Sequence, residues 1–84
     1  MNKKHRKIYD AIFAEPIRRN VDWSDVVVLV KGLGGEVLQG SGSRVRFDLN
    51  GVSLNIHSPH PQKELKRYQV KAVRDFLDNA GVEG

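Results

Sequence analysis

The dipeptide Asn50-Gly51 sits between two runs of alternating side chains. A type I′ turn needs φ > 0 at both central residues, and Asn-Gly tolerates this better than almost any other pair, so it predicts a two-residue β-hairpin. A loop that short fixes the register. Leu49 then faces Val52, Phe47 faces Leu54 and Val45 faces Ile56. Between them the second set pairs Asp48 with Ser53, Arg46 with Asn55, Arg44 with His57 and Ser43 with Ser58. Successive side chains point to opposite faces of a strand, so the hairpin has one apolar and one polar face. The other segments must cover the apolar face, which makes Gly40–Pro61 the stretch around which the chain is organised.

The flanking segments supply that cover. Ile8, Tyr9, Ile12 and Phe13 recur at helical spacing and predict a helix over Lys3–Ala14, stopped by Pro16. Asp22–Leu33 contains Val-Val-Val-Leu-Val, a strand-like composition. Asp22 or Ser24 suits an N-cap, however, and Gly32, Gly34 and Gly35 suit a helix stop. Trp23, Val26, Val27, Val30 and Leu33 also share one helical face, so the segment is predicted as a helix with Trp23 as a core anchor. Glu36–Gln39 predicts a short strand. Gly40-Ser41-Gly42-Ser43 lacks the Gly-Lys-Ser/Thr ending of a nucleotide-binding loop and is taken as a tight link between antiparallel strands. After the hairpin, Ser58-Pro59-His60-Pro61 cannot continue a strand. Pro61 suits the first position of a last helix, predicted over about Gln62–Ala80, with Leu65, Tyr68, Ala72, Val73, Phe76, Leu77 and Ala80 as its apolar stripe. The expected fold class is α+β: an α-β-β-β-α unit with an additional N-terminal helix, its helices on one face of the sheet.

Eighty-four residues make one domain, 1–84, with 1–16 as an N-terminal extension and 22–82 as the core unit. The absence of cysteine excludes a disulfide framework and thiolate chemistry. No apolar run approaches the roughly 20 residues of a membrane span, so a cytoplasmic protein without a membrane partner is expected. The net charge of +4 is unevenly spread: Gly40–Arg74 holds seven Lys/Arg against two acids, and the rest seven against eight. A basic surface around the hairpin favours phosphate-bearing partners.

Four stretches together resemble the HicA (YcfA-like) toxins of bacterial toxin–antitoxin pairs. They are Trp-Ser-Asp-Val-Val-Val-Leu-Val-Lys-Gly-Leu-Gly-Gly-Glu-Val from Trp23, Ser-Arg-Val-Arg-Phe-Asp-Leu-Asn-Gly from Ser43, the His57–Pro61 corner, and Val70–Val82. The resemblance covers Trp23–Val82. It implies a double-stranded-RNA-binding-domain-like fold and a type II toxin that cleaves mRNA as an endoribonuclease and is inhibited by a HicB-type antitoxin. The family usually carries its catalytic histidine at the start of the second strand, where this chain has Ser43, while its histidine-proline corner is matched by His60-Pro61.

Metal-free RNA cleavage needs a base for the 2′-OH proton, an acid for the leaving 5′-oxygen, and cations for the charge developing on phosphorus. His57, at the end of the third strand, and His60, ahead of the last helix, are the candidates for proton transfer. Ser43 can orient a phosphate or water but cannot act as a base at neutral pH. Arg44, Arg46, Lys63, Arg67 and Lys71 are the candidate RNA-binding cations. His57 and His60 alone are too few ligands for zinc, and no cofactor is called for. Two other readings remain open: an RNA-binding or antitoxin-binding module of the same fold with little nuclease activity, and a protein-interaction domain whose basic face docks an acidic partner.

Overall fold

A computed structural model describes residues 1–84. In chain order the elements are α1 (Lys3–Ile12), α2 (Trp23–Gly32), β1 (Glu36–Gln39), β2 (Arg44–Leu49), β3 (Val52–His57) and α3 (Arg67–Asn79). The three strands form one antiparallel sheet in the order β1-β2-β3. The hairpin register is as predicted, from Arg44↔His57 to Leu49↔Val52. Asn50 and Gly51 both take positive φ, 50° and 79°. Asn50 does a second job that the turn rule does not foresee: its Nδ2 donates to the Ala80 carbonyl at 2.8 Å, tying the hairpin tip to the end of α3.

β2, the central strand, buries Val45, Phe47 and Leu49 and turns Arg44 and Arg46 outward. All three helices lie on the apolar side. α2 packs along β1, α3 packs along β3, and α1 packs on α2 and reaches α3. Phe47 is fully buried at the centre, stacked on Trp23 at 5.4 Å and tilted against Phe76 at 6.1 Å. The segment around Val26 is a helix despite its β-branched residues, because Val26, Leu29 and Val30 bury one face against the sheet. Gly32 in that helix leaves room for the His5 ring of α1, which a Cβ there would push aside.

The last helix is shorter than predicted, and Pro61 is not its first residue. Tertiary hydrogen bonds hold Lys63–Leu65 extended. Trp23 N–H donates to the Lys63 carbonyl and Leu65 N–H to the Val21 carbonyl, each at 2.8 Å, and Asp22 pairs with Glu64 in an isolated bridge. Leu65 is buried from this extended segment, not from a helix. With the start moved to Arg67, the buried stripe is Gln69, Val70, Val73, Phe76 and Leu77, continued by Ala80. Tyr68, predicted in the stripe, sits about 140° around the helix from Val73 and is 66% exposed. The helix is stopped at Gly81, whose φ is 77°, and Val82 N–H closes onto the Leu77 carbonyl at 3.0 Å.

α1 ends at Ile12, two residues short of the prediction, and is fastened from across the chain. Arg74 donates from Nε to the Ile12 carbonyl (2.6 Å), from Nη2 to the Ala14 carbonyl (2.6 Å) and from Nη1 to Glu15 Oε1 (2.7 Å). A cation here also meets the negative end of the helix dipole. Arg74→Ala is expected to cost about 2–3 kcal/mol, because charge-assisted bonds are lost and two carbonyls are orphaned. The urea midpoint reads this, and Arg74→Lys should recover little, since an ammonium cannot reproduce the fork. An unchanged midpoint in Arg74→Ala would show that the clamp is dispensable.

Candidate active site

The sheet's outer face is open, because all three helices lie on the other side. On it Leu38, Gln39, Gly40, Arg44, Arg46, Asn55 and His57 surround a groove of about 540 Å³. The alternation of β2 and β3 aims Arg44, Arg46, Asn55 and His57 outward, and all four are exposed.

His57 is held on two sides. Ser43 Oγ lies 3.1 Å from His57 Nδ1. A hydroxyl can donate to a bare Nδ1 or accept from a protonated one, so this contact fits either tautomer and the imidazolium as well. Nε2 is left for chemistry. On the other side, the His57 carbonyl accepts from Gln69 Nε2 at 2.8 Å. Gln69 is the chain's one buried polar residue, and its Oε1 accepts from Lys66 N–H at 3.0 Å. One glutamine thus joins the end of β3 to the start of α3. Ser43 is itself pinned, as Ser58 N–H donates to its carbonyl at 2.8 Å.

The candidate cations separate into distinct positions. Arg44 makes no ion pair and lines the groove. Arg46 also lines it, but its Nη2 is 3.0 Å from Asp48 Oδ2. Arg67 opens α3 and lines a different cleft, with Lys66, Arg18 and Arg19. Lys63 is exposed in the extended segment, and Lys71 is exposed on α3. The sequence placed His60 at a helix N-terminus. It lies instead in the loop after β3, exposed, with the helix beginning only at Arg67, so no helix N-terminus stands beside it.

Sequence reasoning missed Gln69, Arg18 and Arg19. Gln69 carries no signal beyond being a polar residue one place from an apolar stripe. Arg18-Arg19 was visible as a basic pair but fell outside the segment whose charge stood out.

Asp48 adds a pH-dependent element beside the groove. The hydrogen bond from Ser53 Oγ (2.6 Å), followed by the contacts with Arg46, outweighs partial desolvation and holds its carboxyl below the usual carboxylate range. With the folded-state pKa depressed, the stabilisation is present above the unfolded value of 3.8 and is lost as pH falls through the folded value. Asp48→Asn should flatten the acid limb of a stability–pH curve below about pH 4, read as urea midpoints, with little change in its shape near neutrality. An acid limb identical to that of the parent would rule the pair out as a contributor.

An antiparallel sheet covered by helices on one side and open and basic on the other defines an α+β domain of the double-stranded-RNA-binding-domain-like class. Within that class, the model for "HicA toxin of bacterial toxin-antitoxin" matches residues 23–82. The chain belongs to the HicA toxin family of bacterial toxin–antitoxin systems, and membership implies an antitoxin partner. Neither the curated proteins nor the solved structures contain a match. No helix is long and apolar enough to cross a membrane.

Proposed function

We propose that this chain is the toxin of a type II pair, a cytoplasmic mRNA endoribonuclease that works without metal and is silenced by a HicB-type antitoxin covering the open sheet face. The observation that carries this reading is the Ser43–His57 contact at the edge of a groove lined by Arg44 and Arg46. In the proposed step His57 removes the proton from a 2′-hydroxyl. The 2′-oxygen forms a bond to phosphorus, the P–O5′ bond breaks, and O5′ takes a proton from His60 or from water. The products are a 2′,3′-cyclic phosphate and a 5′-hydroxyl. Arg44, free of any carboxylate, balances charge developing on the phosphoryl oxygens. Arg46, shared with Asp48, acts more weakly. Ser43 positions the His57 ring and carries no proton to substrate.

The test is incubation of purified protein with mRNA in excess EDTA, followed by end-group analysis. Cleavage with cyclic-phosphate ends is expected. Intact mRNA, or cleavage abolished by EDTA, would reject the metal-free mechanism. Adding a HicB-type antitoxin should stop the reaction and protect the sheet-face amides from exchange.

One observation favours a second reading, an RNA-binding module with little nuclease activity: Ser43 stands where the family resemblance places a histidine. Ser43→His separates the two. A large gain in cleavage would mean that the parent is a weak nuclease with an otherwise intact site.

A further inference from the structure

A second cleft, of about 350 Å³, is lined by Ile17, Arg18, Arg19, Leu65, Lys66 and Arg67. Buried Leu65 and half-buried Ile17 are its apolar members, and the four cations are exposed. None of the four is paired, since the chain's ion pairs are Arg46–Asp48 and Arg74–Glu15. No acid lines the cleft: Glu64 beside it is outside the lining, and Glu15 is held by Arg74. The arrangement is fixed by backbone, through Leu65 N–H to the Val21 carbonyl and Trp23 N–H to the Lys63 carbonyl. At its edge α3 begins, and the amides of Arg67 and Tyr68 have no partner in the chain. Concentrated positive charge, unpartnered amides and the field of a helix start are complementary to phosphate. Tyr68, 66% exposed on the first turn of α3, is outside the lining, as Glu64 is. Four unpaired cations beside two free amides suit the closely spaced phosphates of a nucleic-acid strand.

The cleft is joined to the groove through Gln69, which bonds Lys66 N–H on one side and the His57 carbonyl on the other. We propose that it holds backbone phosphates of the RNA strand flanking the bond presented to His57. Two of its four cations, Arg18 and Arg19, come from the α1–α2 linker, outside the residues matched by the family. The linker would thus extend the RNA footprint beyond the sheet face. This inference rests on the RNA-cleaving reading of the groove.

The test uses a single-stranded 2′-O-methyl oligoribonucleotide, which cannot be cleaved, bound across about 50–200 mM NaCl. Arg18→Gln/Arg19→Gln is expected to reduce the log–log salt slope by about 1.4, as each lost phosphate contact on a single strand is worth roughly 0.7. Binding at low salt should weaken about tenfold. In a parallel titration, pyrophosphate should shift the Arg67 and Tyr68 amide resonances in the parent and not in the double variant. A slope unchanged in the double variant but reduced in Arg44→Gln overturns the cleft and leaves the groove reading standing. RNA that binds the parent at no salt concentration sinks both. If poly-glutamate moves the Arg67 and Tyr68 amides and RNA does not, the cleft docks an acidic protein and the proposal is wrong.

Discussion

His57→Ala is expected to lower mRNA cleavage by about 10² to 10⁴-fold, the usual contribution of a positioned proton-transfer group. Its side chain is exposed and outside the core, so stability should hardly change. Loss of activity with an unaltered urea midpoint is the signature of a chemical role. Ser43→Ala should fall between parent and His57→Ala, because it removes the partner of Nδ1 and leaves the imidazole in place. The loss in Ser43→Ala should fall on kcat more than on KM, since an orienting hydroxyl acts on the His57 ring and not on the phosphate. His60→Ala decides whether the second histidine supplies the leaving-group proton. If His57→Ala and His60→Ala both cleave at the parent rate, the proton-transfer mechanism is excluded.

Phe47→Ala is expected to destabilise the fold by about 3–5 kcal/mol, the range for deleting a buried aromatic ring. The ring is fully buried between Trp23 of α2 and Phe76 of α3. Its loss opens a cavity where one helix from each side of the sequence meets the central strand, and neither helix can close it without leaving its own strand. Domains of this size hold on the order of 5–15 kcal/mol in total, so a large unfolded fraction should appear by thermal melting. Phe47→Leu should recover much of the loss. A melting temperature within a few degrees of the parent in Phe47→Ala would mean the core is not centred on this ring.

The parts of the fold legible in the sequence were those set by local rules. Asn50-Gly51 set the turn, the turn set the register, and the register assigned every side chain of β2 and β3 to its face. Asp22 and the glycines from Gly32 onward marked the limits of α2 against its own β-branched composition, although the Asp22 side chain makes no capping bond. The start of α3 was missed because the deciding bonds, to Val21 and Trp23, come from residues about 40 positions earlier in the chain. No local pattern reports them, and Pro61 offered a competing local signal that tertiary structure overrode. The candidate site followed the same division. Arg44, Arg46 and His57 came together because one hairpin carries them, whereas Arg67 and Lys63 separated from them because the loop between β3 and α3 does not follow from periodicity. Gln69, the residue that fastens His57 to α3, was invisible because its role exists only once both elements have packed.

The Arg74 clamp bears on synthesis as well as on stability. α1 spans ten residues, shorter than the roughly 12–15 at which an isolated helix becomes marginal in water. Its fastening comes from a side chain 62 positions later than Ile12. On the ribosome, α1 and α2 can pair as soon as both have emerged, but the C-terminal end of α1 stays unfastened until α3 has been made. A nascent chain stalled before Arg74 would thus hold a helix pair whose Ile12 and Ala14 carbonyls still lack their donor.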